Sequence, residues 1–234
     1  MRDREQFIWG ELVSESSVES VVQMITDAVR TGRLAPGMRL VEAEFTQNLG
    51  VSRSTVREGF QRLIAAGLLT SERHRGVSVR QFTRKQVHDL YVLRANLEGL
   101  GVELATSKVA EAPAFIQDLQ QQMDDAENER DLTKFSQLNT EFHHYLADMA
   151  NNEYLKSVIL QFETSIYWLQ FRVLVDQQSV FRTNQDHRVI VEHMVAGRGA
   201  EAAAAMRQHI LNAEEMVQSL PSSHFKRDMA AQNL

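Results

Sequence analysis

Residues 51–58 read Val51-Ser52-Arg53-Ser54-Thr55-Val56-Arg57-Glu58, and this stretch decides the fold of the N-terminal part of the chain. Gly50 precedes it and breaks an earlier helical pattern, and Ser52 belongs to the residue types that cap helix N-termini. Apolar residues then recur at helical spacing as far as Gly67; they are Val56, Phe60, Leu63 and Ile64. With a short helix expected from about Val41 to Leu49, the pattern predicts a helix, a tight turn and a second helix.

Upstream of this pair, residues 17–31 carry apolar side chains at helical spacing and predict a first helix. Gly32 is expected to end that helix. Residues 33–37 have turn composition, and Arg39-Leu40 is expected to lead directly into the second helix.

Downstream, two short apolar segments flank a polar stretch and predict a β-hairpin; they are Leu68-Leu69-Thr70 and Val77-Ser78-Val79. A hairpin behind a helix-turn-helix forms a wing, whose tip approaches the DNA backbone while the second helix lies in the major groove. We therefore expect an N-terminal extension at residues 1–13 and a winged helix-turn-helix DNA-binding domain at residues 14–81.

Arg53 and Arg57 lie four residues apart, so that a helix places both on one face near its start. Arginine at this position can bridge guanine O6 and N7 or clamp a phosphate. Thr55, between them, could contact a thymine methyl group or a phosphate. The alternative is that the two arginines only solvate the end of a helix.

The composition is that of a helix-rich globular protein whose charge is unevenly distributed. Hydrophobic residues make up 43% of the chain, and there is no cysteine. Because disulfides and thiolate zinc sites are thereby excluded, a reducing cytoplasm is the expected compartment. Residues 13–83 hold nine Arg against seven acidic residues, whereas residues 84–234 hold 14 basic against 21 acidic residues. A basic head on an acidic body predicts that the head meets an anionic partner.

From Phe82 onward the patterns are helical. Six stretches predict helices; they are residues 85–107, 113–128, 132–149, 153–175, 185–196 and 200–220. The expected fold class is therefore mainly α, with an N-terminal winged helix-turn-helix (helices and a small β-hairpin) followed by an all-α antiparallel helical bundle. The expected boundaries are a linker at 82–84, an effector-binding and dimerisation domain at 85–221 and a tail at 222–234.

The head resembles the GntR family of bacterial regulators over about residues 17–81. The resemblance rests on residues 51–58, on Pro36-Gly37 followed by Leu40, and on Arg75-Gly76 in the wing, which occur in the family's order and spacing. Thr55 departs from the family, since many members have proline there, and the change is expected to alter base preference rather than fold. The residues that the resemblance implies as DNA contacts are Arg39, Ser52, Arg53, Thr55, Arg57, His74, Arg75 and Gly76. Arg53 and Arg57 are the best candidates for reading bases.

The body resembles the FCD effector domain, which marks the FadR-like subfamily. Residues 89–98, Asp-Leu-Tyr-Val-Leu-Arg-Ala-Asn-Leu-Glu, look like the opening of that domain. The remaining helices agree with it in length and order over nearly all of residues 85–220.

Three histidines share helix faces with apolar residues. His143 lies on the flank of an apolar stripe with Asn139 four residues before it, His187 aligns with Ile190 and Met194, and His209 aligns with Met206. Inward histidines from three helices could converge on a metal. The alternative for each is a hydrogen-bonded core histidine.

The resemblance adds weight to the metal site. Some members of the subfamily bind a divalent metal through an aspartate, a histidine four residues later and two further histidines about 22 positions apart. His143, His187 and His209 match that pattern, whereas Asn139 stands where aspartate is common. An amide oxygen can ligate without charge, so the metal would keep more of its own charge and attract an anion. Zinc and nickel suit imidazole donors, and manganese is a further candidate.

By the same resemblance, Arg94 lines the effector cavity with Glu98. A guanidinium there could hold a carboxylate bidentately while the metal takes another oxygen. The alternative is a salt bridge between Arg94 and Glu98, which are four residues apart.

The expected function is that of a transcription regulator, specifically a ligand-responsive repressor. The chain is not expected to be an enzyme. The expected partners are a pseudo-palindromic DNA operator, a small organic acid and a second copy of the chain, with no membrane, because no apolar run is long enough to span one. Two alternatives remain: a metal-dependent hydrolase with a DNA-binding-like head, and a dimerising regulator that binds no ligand.

Overall fold

The computed structural model describes residues 18–73, 76–161 and 177–226. These residues divide into two compact units. The head comprises the described residues up to Phe82 together with 222–226, and the body comprises 83–161 and 177–221. The mainly helical fold class, with a winged helix-turn-helix followed by a helical domain, is confirmed.

The head contains three helices; they are α1 (Val18–Arg30), α2 (Glu42–Leu49) and α3 (Arg53–Ala65). Most of the apolar residues that predicted α1 and α3 are buried, because each helix packs its apolar stripe against the other; Ile64 is only half-buried. Gly59 marks their closest approach, since a Cβ built there would lie 2.7 Å from Cγ1 of Val21. On α2, Phe45 packs edge-on against Phe60 with ring centroids 5.3 Å apart.

The sheet of the head has three antiparallel strands in the order β1-β3-β2; they are β1 (Arg39–Leu40), β2 (Leu69–Glu72) and β3 (Gly76–Val79). The expected hairpin is present as β2 and β3. Arg39-Leu40 leads into α2 as expected, and this dipeptide also pairs with β3, which the sequence pattern did not predict. A strand of two residues is too short to show the alternation of apolar and polar side chains that predicts a strand. Its pairing also depends on a distant segment, to which the preceding loop is joined: the N–H of Gly37 donates to the carbonyl of Val79 at 2.9 Å.

A C-terminal segment, residues 222–226, belongs to the head. Phe225 is buried, and the backbone N–H of Lys226 donates to the carbonyl of Phe82 at 2.9 Å. Nζ of Lys226 lies 2.9 Å from Glu72 at the end of β2. This part of the expected tail therefore packs on the wing.

The body contains long helices; they are α4 (Arg84–Glu111), α5 (Ala114–Glu129), α6 (Leu132–Met149), α7 (described over 153–161), α8 (Gln177–Val195) and α9 (Gly199–Gln218). Residues 162–175 of the expected fourth helix of the body lie outside the described residues. No helix within the described ranges is long and apolar enough to cross a bilayer.

Helix α8 begins eight residues earlier than the sequence pattern indicates, at Gln177 rather than Gln185. The pattern misses this part because Asn184, a polar residue, occupies a fully buried position. Its amide donates to Asp124 and Glu127 of α5 at 2.9 and 2.7 Å. Buried polar groups are tolerated when they are hydrogen-bonded in this way.

Helices α4 and α9 approach closely through small residues. A Cβ at Gly99 of α4 would lie 2.8 Å from Cγ of Arg207 and 3.2 Å from the carbonyl of Ala203 on α9. The N-terminus of α4 is fixed by a capping box between Thr83 and Gln86. The absence of a side chain at Gly99 allows this face of α4 to pack closely against α9.

Candidate functional site

Three helices of the body place imidazole side chains at one buried point. His143 of α6, His187 of α8 and His209 of α9 are all buried, and one nitrogen of each lies within 4.8 Å of the others. Nε2 of His187 and Nε2 of His209 are 3.2 Å apart. Two nitrogens on a tetrahedral zinc ion, each about 2.0–2.1 Å from the metal, lie about 3.3 Å from each other. The triad therefore has the dimensions of a metal site.

Carboxylates face the outer nitrogens of two of these rings. Nδ1 of His143 is hydrogen-bonded to Glu98 of α4. Nδ1 of His209 lies 3.4 Å from Oδ2 of Asp186, which also accepts a 3.0 Å hydrogen bond from Asn212. A carboxylate at Nδ1 keeps the ring proton there and leaves the lone pair of Nε2 for a metal.

His187 differs from the other two rings. It is fully buried, its ring centroid is 4.8 Å from that of Phe142, and its Nδ1 has no hydrogen-bond partner among the described residues. Burial, followed by the charges of His209, His143 and Arg188, holds the pKa of His187 well below its usual value. The ring is thus neutral at pH 7, which is the form that binds metal.

Burial also lowers the pKa of His209 below its usual value, although the hydrogen bond to Asp186 opposes the shift. The hydrogen bond from His209, followed by that from Asn212, lowers the pKa of Asp186 despite partial burial. The pair therefore consists of a neutral imidazole and an ionised carboxylate at neutral pH.

Arg94 and Glu98 form a buried ion pair beside the triad. Nε of Arg94 donates to one carboxylate oxygen of Glu98, and the other oxygen faces His143. Burial alone would raise the pKa of Glu98, but the charges and hydrogen bonds of Arg94 and His143 hold it below its usual value. The salt bridge considered for Arg94 is present, and it places both residues next to the triad.

Asn139 lies one turn before His143 on α6 and is half-buried. The i,i+4 spacing places the two residues side by side on the helix. Asp186 and Asn212 carry no sequence signal that links them to the three histidines. Helical periodicity assigns Asp186 to a polar flank of α8, and only the packing of α9 brings His209 to it.

In the head, the start of α3 is a compact hydroxyl cluster. Ser52 caps the helix by accepting a 3.1 Å hydrogen bond from the N–H of Thr55, and the hydroxyls of the two residues are 2.8 Å apart. Ser54 Oγ lies 2.7 Å from Ser52 Oγ. Ser52 and Thr55 therefore hold the helix end from which Arg53 projects, exposed, into solvent.

Arg57 is also exposed but is not isolated. Its Nε donates to Glu42 of α2 at 2.8 Å while 66% of its side chain remains accessible. In the wing, the guanidinium of Arg39 lies against Gly76, where a Cβ would be 3.6 Å from Nε of Arg39. His74 and Arg75 lie outside the described residues.

Comparison with protein families agrees with this architecture. The model of the FCD domain matches residues 89–212, and the model of bacterial regulatory proteins of the gntR family matches residues 17–79. Two solved structures share the fold with a TM-score of 0.73 each: a transcriptional regulator of Rhodococcus sp. RHA1 and McbR/YncC of E. coli. The Rhodococcus protein is 24% identical, and the match covers 87% of this chain and 99% of that protein. McbR/YncC is 18% identical, and the match covers 88% of this chain and 98% of McbR/YncC.

Several curated relatives match most of the chain. The uncharacterized HTH-type transcriptional regulator YdhC of Bacillus subtilis is 31% identical, over 77% of this chain and 80% of the relative. LutR of Bacillus subtilis is 30% identical, over 81% of this chain and 95% of LutR. The Nta operon transcriptional regulator of Aminobacter aminovorans is 30% identical, over 75% of this chain and 82% of that regulator. These relatives are transcription regulators and not enzymes, which sets the hydrolase alternative aside. The chain belongs to the GntR family of bacterial transcription regulators and carries an FCD domain behind its DNA-binding head.

Proposed function

We propose that this regulator binds operator DNA as a homodimer through its head, and that a divalent metal and a small organic acid bound in its body control that binding. The observation that carries the proposal is the buried convergence of His143, His187 and His209 within ligand distance. In this proposal the protein acts as a ligand-responsive repressor in the cytoplasm.

In this proposal α3 enters the major groove. Arg53 and Arg57 read bases or clamp phosphates, and Ser52 and Thr55 present the helix start to the backbone. The residues that contact the flanking backbone or minor groove are Arg39, His74, Arg75 and Gly76. A dimer presents two such helices to half-sites about one helical turn apart.

In the body, the metal is bound by the three histidines, and Asn139 offers its amide oxygen as a fourth ligand. Imidazole donors favour zinc or nickel, with manganese as a further candidate. The carboxylates at Nδ1 of His143 and His209 orient two of the rings, as supporting groups do in metal sites.

The charge balance of the site favours an anion as effector. Arg94 and Glu98 cancel each other, and imidazole ligands bring no negative charge, so the charge of a divalent metal would be uncompensated at a buried point, where net charge is costly. A carboxylate would neutralise one of its two positive charges. We expect Arg94 to hold this carboxylate; Glu98, which accepts a hydrogen bond from its Nε, orients the guanidinium.

Metal content tests the first part. We expect tag-free protein, purified without chelator, to hold about one zinc or nickel per chain by mass spectrometry of the metals. His187→Ala should lose the metal. His193→Ala is the matched control, because His193 lies on the same helix but is hydrogen-bonded to Arg198 instead. Metal-free wild type, or equal loss in both variants, would contradict the proposal.

Effector binding is tested by calorimetry of metal-replete protein against a panel of small carboxylic acids. We expect binding by wild type, loss in Arg94→Ala and partial retention in Arg94→Lys, which keeps the charge without the bidentate geometry. Fluorescence anisotropy with an operator fragment then reports whether the bound acid lowers DNA affinity. If the metal is present but no acid binds, the alternative of a regulator without an organic ligand is correct.

A further inference from the structure

A cavity of about 400 Å³ lies where the C-terminal end of α5 meets the first turns of α8. We call it the α5–α8 cavity, and none of the three histidines of the triad lines it. Its volume is in the range of small-molecule sites in proteins. All but one of its lining side chains are polar or charged; the lining consists of Glu127, Asn128, Arg130, Gln178, Phe181 and Arg182. Its occupant is therefore expected to be polar.

Two guanidinium groups of the lining have no carboxylate partner among the residues that the structure describes. Arg130 is exposed, and its guanidinium carbon lies 5.8 Å from the centre of the Phe181 ring. Arg182 is also exposed and donates to the hydroxyl of Ser179 at 2.5 Å. Because an aromatic ring and a hydroxyl carry no charge, both arginines keep a positive charge with which to bind an anion.

The acidic residue of the lining is already engaged elsewhere. Glu127 accepts hydrogen bonds from Asn184 at 2.7 Å and from Arg188 at 2.5 Å, and Arg188 also binds Asp124. Residues 84–234 hold 14 basic against 21 acidic residues, whereas the lining holds two arginines against one glutamate. The local excess of positive charge is opposite to that of the body and favours an anionic occupant.

The backbone of Arg130 is an independent observation. With φ of 58° and ψ of 27°, this residue adopts the left-handed conformation directly after α5. The N–H of Asp131 donates to the carbonyl of Ala126 at 2.9 Å, which closes the helix. Glycine is the usual residue at such a position, because a side chain there is strained. A long charged side chain at a strained position is explained if its guanidinium is needed at the cavity.

We propose that the α5–α8 cavity binds a phosphate monoester of a small hydroxylated metabolite, as a second ligand site of the body. A monoester carries nearly two negative charges at pH 7 and three terminal oxygens, which suit two guanidinium groups that come from different segments of the chain. The amides of Asn128 and Gln178 can donate to or accept from the hydroxyl groups of the remainder. This site goes beyond the metal and the organic acid of the proposed function and depends on neither.

Isothermal titration calorimetry with glucose 6-phosphate tests the site, on full-length, metal-replete protein in a buffer free of phosphate and sulfate. We expect wild type to bind with a Kd below about 1 mM, and not to bind glucose. Arg130→Gln and Arg182→Gln should each weaken binding about tenfold or more, because each removes charge-assisted hydrogen bonds. Arg198→Gln is the matched control, since Arg198 is an exposed arginine of the body that binds His193 and Glu192 instead.

Arg130→Gly separates ligand binding from folding. Glycine removes the guanidinium and also relieves the left-handed backbone. We expect this variant to lose affinity for glucose 6-phosphate as Arg130→Gln does, but to unfold at a higher temperature than Arg130→Gln in the absence of ligand. Wild-type affinity in Arg130→Gly would overturn the assignment of Arg130 to the site.

The competing location for a phosphate is the metal beside Arg94. Arg94→Ala and His187→Ala should therefore keep wild-type affinity for glucose 6-phosphate. The inference is overturned if these two variants lose binding while Arg130→Gln and Arg182→Gln keep it, or if wild type binds nothing at about 10 mM. Metal content and carboxylate binding are measured separately, so a failure here leaves the proposed function standing.

Discussion

Replacing Asp186 by asparagine tests whether the carboxylate at His209 supports a metal site. The change keeps the shape of the side chain and its contact with Asn212, but removes the charge that orients the imidazole. Supporting groups of this kind are worth about 10–100-fold in metal affinity. The contact between Asp186 and His209 is long, 3.4 Å, and Asp186 is partly exposed, so the lower end applies. We expect Asp186→Asn to weaken zinc binding about tenfold, or about 1.4 kcal/mol.

The assay is competition for zinc against a chelator of known affinity, with stripped protein at pH 7.5. Thermal unfolding gives a second readout, because excess metal stabilises the folded state in proportion to the logarithm of its affinity and should stabilise the variant by about 1.4 kcal/mol less. Asp118→Asn is the control, since Asp118 lies on α5 and pairs with Gln122 on its exposed surface. If zinc affinity stays within twofold of wild type while His209→Ala abolishes binding, the supporting role of Asp186 is refuted.

Three further predictions concern the head. Gly59→Ala should lower the free energy of unfolding, measured by urea denaturation, by about 1–3 kcal/mol, because the added Cβ meets the stiff, buried side chain of Val21. In a Val21→Ala background the same change should cost much less, because the clashing side chain is gone. Glu42→Gln should raise operator affinity several-fold and steepen its salt dependence in anisotropy titrations, because Arg57 becomes free to meet phosphate; an unchanged salt slope would exclude Arg57 from the interface. Phe225→Ala should destabilise the head by about 3 kcal/mol, as measured by hydrogen exchange of the slowest-exchanging amides of the head. Equal protection of these amides in wild type and variant would show that the C-terminal segment does not stabilise the head.

The sequence alone determined the elements whose signals are local. Ser52 and the apolar residues after it predict α3, and the structure has that helix capped by Ser52. Helical periodicity likewise predicted that His143, His187 and His209 face the interior, and all three are buried. These inferences succeed because a cap and a 3.6-residue period are properties of neighbouring residues, which a sequence displays directly.

The family was also readable from local motifs. The motifs around residues 51–58 and 89–98 have an order and spacing that resemble GntR regulators with an FCD domain, and the family comparisons confirm this assignment.

Tertiary structure alone decided the contacts that join distant segments. The strand Arg39–Leu40 exists because β3 pairs with it. The burial of Asn184 on α8 is compensated by hydrogen bonds that its amide donates to another helix. Glu98 and Asp186 support different histidines from different helices, and Glu42 holds Arg57. Each of these contacts pairs side chains or backbone groups that are far apart in the chain, and no periodicity within one segment records which partner the fold will bring to it.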